Sequence, residues 1–79
     1  MRKGYLIRYS IEKYHDVGND SLFPREVDHR LMRMSTARQE LRRLQDQDFA
    51  NGALYGLSRW SIPADSVPDL RARHYTIED

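Results

Sequence analysis

Three histidines are the first side chains to test for chemistry. Two adjoin carboxylates, as His15-Asp16 and Asp28-His29, and His74 lies far along the chain. Two metal ligands on one helix face require His-x3-His or His-Glu-x2-His spacing, and neither occurs. There is no cysteine to serve as thiolate ligand, nucleophile or disulfide partner. Ser21, Ser35, Ser58, Ser61 and Ser66 lack the Gly-x-Ser-x-Gly turn that poises a serine for attack. "VGNDSLFP" has one glycine and ends in proline, a poor cradle for phosphate. Asp46 and Asp48 read as solvated residues near a helix end. The expectation is a chain that is not an enzyme and holds neither metal nor cofactor.

Binding chemistry is the remaining class. Thirteen Lys and Arg face twelve Asp and Glu, a formal net charge of +1. General electrostatic nucleic-acid binders show a larger excess. Arginine dominates the cations, since only Lys3 and Lys13 are lysines. An arginine-rich helix carrying Arg30, Arg33, Arg38 and Arg42 is the alternative, nucleic-acid-binding reading. Its arginines are interleaved with Glu26, Asp28 and Glu40, as on a solvated face. "ALYGLSRW" keeps Tyr55, Gly56 and Trp60 of the aromatic RNA-stacking strand, but lacks its leading basic residue, first glycine and central aromatic.

The elements that position these groups follow from periodicity. "GYLIRYSIEKY" alternates, with Tyr5, Ile7, Tyr9 and Ile11 on one face and Leu6, Arg8 and Ser10 on the other. "HDVGNDS" reads as a turn-rich loop. Val27, Leu31, Met34, Leu41 and Leu44 form a helical stripe, so residues 25–48 read as one long helix opened by Pro24. The competing reading starts the helix near Thr36, where "TARQ" fits a capping box, and leaves "EVDHRLMRM" as an edge strand. Asn51-Gly52 ends the helix. A second strand spans residues 53–62, "PADSVPD" is a loop, and "RARHYTIE" is a third strand. The 79 residues therefore form a single α+β domain, a small, mostly antiparallel sheet with one long helix packed on one face. No apolar run approaches the roughly 20 residues of a membrane span, and no signal-peptide core is present. A cytoplasmic setting is expected.

"FANGALYGLSRWSIP" poses the organising question. Tyr55 and Leu57 fall on one face of its strand; Leu54, Trp60 and Ile62 fall on the other. If the helix covers one face, either the C-terminal tail or the Phe23 loop folds over the second, or a partner docks there. Arg8, Tyr55, Arg59 and Trp60 are the contact residues of the docking reading, because exposed Tyr, Trp and Arg dominate binding hot spots. A second copy of the chain is one candidate partner.

The layout "GYLIRYSI", "STARQELRRLQDQDF", "GALYGLSRW" resembles the strand–helix–strand plan of several small phage-encoded anti-CRISPR proteins. The resemblance implies an inhibitor that sterically blocks a subunit of a CRISPR-Cas effector complex without catalysis. It carries over no individual residues. This near-neutral chain departs from the strongly acidic, DNA-mimicking members of that group.

Overall fold

The computed structural model describes residues 4–15 and 24–79. Most of "HDVGNDS", together with Ser21 and Phe23, lies outside them. The framework is a long antiparallel pair, β1 (Tyr5–His15) with β4 (Leu54–Pro63), in register from Tyr5–Pro63 to Lys13–Tyr55. The register shifts by one residue between Lys13 and His15, so Tyr14 is the extra residue of a bulge. On its other edge β1 pairs with β2 (Arg25–Glu26), giving the sheet order β2-β1-β4. The chain then bends and returns to the same edge at Met32, which exchanges two backbone hydrogen bonds with Tyr9, at 2.7 and 2.8 Å. β3 (Arg30–Leu31) in turn pairs in parallel with β5 (Thr76–Ile77). The α+β expectation holds: α1 (Met34–Asp48) packs on one sheet face.

Two sequence expectations are corrected. Residues 25–33 are not the first turns of the helix: two short strands, Arg25–Glu26 and Arg30–Leu31, are joined by a bend. The helical spacing of Val27, Leu31 and Met34 misleads because the buried side chains there alternate. Met32 joins Ile11 and Ala37 in one core, while Leu31 joins Ile62 and Ile77 in the other. Val27 and Met34 stay exposed. Backbone pairing with β1 outweighs a modest helix propensity. The edge-strand alternative forms in part: β2 and β3 are short pieces interrupted by a bend, and the helix begins at Met34, two residues before Thr36.

The third strand is also shorter than the sequence implies. "PADSVPD" becomes a 3₁₀ turn over Ala64–Ser66 and the start of α2 (Val67–Ala72), whose first turn carries Pro68 and Asp69. Only Thr76–Ile77 of "RARHYTIE" is strand. His74 ends α2 in the left-handed region at φ 70°. Its N–H donates to Arg71 O at 3.0 Å, and the Tyr75 N–H donates to Leu70 O at 3.1 Å. This is a Schellman closure, with histidine where glycine is usual. It turns the chain so that Tyr75 and Ile77 fall back onto the sheet.

Together these elements answer the two-faced strand. One face, with Tyr9, Ile11, Tyr55 and Leu57, packs against Ala37, Leu41 and Leu44 of α1. The other, with Leu6, Trp60 and Ile62, is covered by Val67, Leu70, Tyr75 and Ile77. The C-terminal segment is the cover, and the molecule is drawn out to 50 × 24 × 18 Å.

The start of α1 is capped from the far end of the sequence. No side chain of its N-cap residue, Arg33, does so. Instead the Glu78 carboxylate accepts from the Arg33 N–H and from the Thr36 hydroxyl, each at 2.8 Å. Those two bonds hold the Glu78 carboxyl below the ordinary glutamate range, with the positive charges of Arg33 and Arg8 adding to the effect. A depressed carboxyl contributes stability that is complete above its unfolded pKa and is lost as pH falls through its folded value. Glu78→Gln is therefore expected to lower the melting temperature at neutral pH. The gap between variant and wild type closes as pH drops below the carboxylate range. Thermal melts by circular dichroism from neutral to strongly acidic pH check this. Glu40, also depressed mainly by its hydrogen bond to Arg43, is common to both proteins and leaves the difference intact.

Candidate protein-binding surface

The sheet separates the predicted contact residues into two pairs. Arg8 and Trp60 are cross-strand partners on the face covered by the C-terminal segment. Tyr55 and Arg59 lie on the α1 face, Arg59 opposite Tyr9. Arg8 is buried: its Nε donates to Glu78 O at 2.6 Å and one terminal nitrogen to Ile7 O at 2.7 Å. Trp60 is half-buried, donating Nε1–H to Ser10 Oγ at 2.9 Å and tilting against Tyr75 at 5.5 Å. Tyr55 is half-buried under α1, its hydroxyl donating to Asp48, with Lys13 Nζ 5.7 Å from its ring centre. Arg59 stands exposed.

The residues of the nucleic-acid reading separate too. Arg30 is on β3 and ion-pairs with Glu40 at 3.4 Å; Arg33 precedes the helix. Arg38 and Arg42 remain exposed on α1. Glu40 also holds Arg43, at 3.0 Å, so the acidic side chain ties two of the arginines down.

The histidines do not converge. The His15 side chain lies outside the description, and His74 is the exposed end of α2. His29 stacks on Tyr75 at 4.5 Å and pairs with Glu26 at 3.2 Å, while the Tyr75 hydroxyl donates to the same carboxylate at 3.0 Å. Burial, then the bond to Glu26, raises the Tyr75 pKa, which keeps the phenol a donor. This group fastens β5 to the bend after β2. Among the described residues, no three His, Asp or Glu side chains are grouped to hold a metal ion.

Exposed apolar groups mark a different place. The C-terminal cover ends before the far half of its face, where Glu12 pairs with Gly56. There the Tyr14 ring lies over Gly56: a Cβ at that position would come within 2.5 Å of Tyr14 Cε2. Tyr14 is 46% exposed and Leu54, two residues from Gly56 on the same face, is 55% exposed. Phe49, in the 3₁₀ turn that links α1 to β4 at this end, is 76% exposed. Sequence reasoning missed this set. Tyr14 changes its relation to β4 through the bulge, and Leu54 reads as core from alternation alone. The exposure of Phe49 had one available signal, its position beside Asn51-Gly52.

No protein-family model, no curated protein and no solved structure matches this chain. Among the described residues no helix is long and apolar enough to cross a membrane.

Proposed function

We propose that this domain is a non-enzymatic protein-binding module that inhibits a larger assembly by occupying one of its surfaces. The specific form proposed is an anti-CRISPR-type inhibitor acting on a Cas effector subunit, from the resemblance in layout. The observation that carries the binding reading is the exposed apolar end formed by Tyr14, Phe49 and Leu54. Large apolar side chains exposed at one end of a small, charge-rich domain suit a protein partner that removes them from water. Arg59, exposed on the opposite face, is of a residue type enriched in hot spots and is a second contact candidate.

The test is an affinity pulldown from bacterial lysate, with and without nuclease, run beside a Phe49→Ser/Leu54→Ser double variant. Both side chains are more than half exposed, so the double variant is expected to fold like the wild type. A stoichiometric protein that survives nuclease and is lost with the double variant supports the proposal. A partner retained by the folded double variant refutes the apolar end as the contact. Recovery of nucleic acid, with all partners lost after nuclease, moves the function to Arg38 and Arg42 on α1.

A further inference from the structure

Unpaired backbone and unpaired arginines meet on one side of the molecule. Tyr9 exchanges both backbone bonds with Met32, and Ile11 O accepts from the Val27 N–H, on the far side of β1 from β4. The β1 residues turned towards β4 are therefore Arg8, Ser10 and Glu12, which hold Trp60, Ser58 and Gly56 inward. Tyr55, Leu57, Arg59 and Ser61 direct N–H and C=O outward, along the edge of the sheet. At one end Gln45 of α1 already serves this edge. Its amide nitrogen donates to Ala53 O at 2.7 Å, and its amide oxygen accepts from the Tyr55 N–H at 3.1 Å. That is the bonding of a neighbouring strand, supplied by a side chain. At the other end Pro63 has no N–H to offer. Between these limits no described residue takes the outward groups of Leu57, Arg59 and Ser61.

The charge beside this stretch is of one sign. Arg59 lies on the α1 face opposite Tyr9, and Tyr9 bridges Met32 just before α1 begins. The first turns of α1 are thereby level with Arg59. Arg38 precedes Gln45 by about two turns, so it shares the side of α1 that faces β4, and Arg42 adjoins it. All three guanidinium groups are exposed, and among the described residues none has a hydrogen bond or ion pair. Glu40, which pairs with Arg30 and Arg43, lies on the other side of the helix.

We infer that this edge takes an extended acidic segment of a partner protein as an added strand. The main chain of the segment pairs with Leu57, Arg59 and Ser61, and carboxylates at alternate positions stand on the α1 face against Arg59 and Arg38. Charge complementarity selects this occupant. A second copy of the chain brings its own arginines to the same edge, where like charges oppose it. Nucleic acid answers the arginines but not the edge, because phosphates accept hydrogen bonds and offer no donor to the outward carbonyls. The surface is separate from the apolar end of Tyr14, Phe49 and Leu54, and the inference stands without it.

The probe is a capped heptapeptide alternating threonine and glutamate, titrated to millimolar concentration at low salt and followed by the backbone amide NMR spectrum of the full chain. Shifts are expected to centre on Leu57, Arg59 and Ser61. Replacing the glutamates by glutamine weakens binding about threefold or more, and so does the double variant Arg38→Gln/Arg59→Gln. Both arginines are exposed, so that variant is expected to fold like the wild type. A peptide N-methylated throughout keeps the charges, loses every main-chain donor and does not bind. No shift at the three amides overturns the inference, as does binding that survives N-methylation. Oligothymidylate that shifts these amides more strongly than the peptide overturns it in favour of nucleic acid. Peptide binding lost with Phe49→Ser/Leu54→Ser but kept by Arg38→Gln/Arg59→Gln places the peptide at the apolar end and overturns the edge site.

Discussion

Leu31→Ala is expected to remove a large part of the domain's stability. Leu31 is fully buried, with Ile62 and Ile77 beside it. Truncating such a leucine costs about 3–5 kcal/mol, in lost transfer energy and in the cavity left behind. A domain of this length holds roughly 4–12 kcal/mol in total. The loss is severe here because Leu31 also sits in the backbone pairing that joins β3 to β5. Collapse of the cavity would pull on both strands, so little relaxation is available. Urea titration followed by circular dichroism checks the result. The transition midpoint falls steeply, while Leu31→Ile, which keeps the volume, costs less than about 1.5 kcal/mol.

Arg8→Met carries the second largest effect. The substitution keeps an unbranched apolar stem and removes the guanidinium that bridges Ile7 O and Glu78 O. Two carbonyls at a covered edge then lose a charged donor, at a cost of about 2–4 kcal/mol. Arg8→Lys recovers part of it, because a single ammonium reaches one carbonyl without the planar fork that serves both. The same titration distinguishes the three proteins by midpoint, with the slope unchanged. The outcome also bears on binding: a partner lost with Arg8→Met at a temperature where the variant is unfolded says nothing of contact. Partner binding by Arg8 variants is informative only below their melting transition.

The long strands were legible in the sequence because their chemistry is local. Tyr5 to Ile11 alternate cleanly, and β4 lies within one residue of its expected bounds. The α+β plan followed from these and from the stripe through Leu41 and Leu44. What could not be read was set by distant partners. Residues 25–33 leave the helix because Tyr9 and Ile11 offer an open edge to Met32 and Val27. The helix begins where Glu78 meets Arg33 and Thr36, not where "TARQ" would cap itself. α2 was hidden because "SVPDLRA" is short and its apolar residues, Val67 and Leu70, fit a loop as well as one helical turn. The contact residues suffered most. Arg8 and Trp60 read as surface groups until the C-terminal segment was seen to lie over them.

The pairing of β1 with β4 has a consequence for how the chain reaches this fold. Tyr5 meets Pro63, and Arg8 meets Glu78 across 70 residues of sequence. No tight hairpin joins the two long strands, so neither can zip up from a turn. Their first contact must close a loop that contains all of α1, and the entropy of that closure precedes any reward from pairing. Folding is accordingly expected to be slower than that of a domain of this size built from local contacts. On the ribosome β1 emerges before β4 and β5, and its apolar Tyr5–Ile11 face stays unpaired until they have left the tunnel. β5 and Glu78 close the fold that β1 opens.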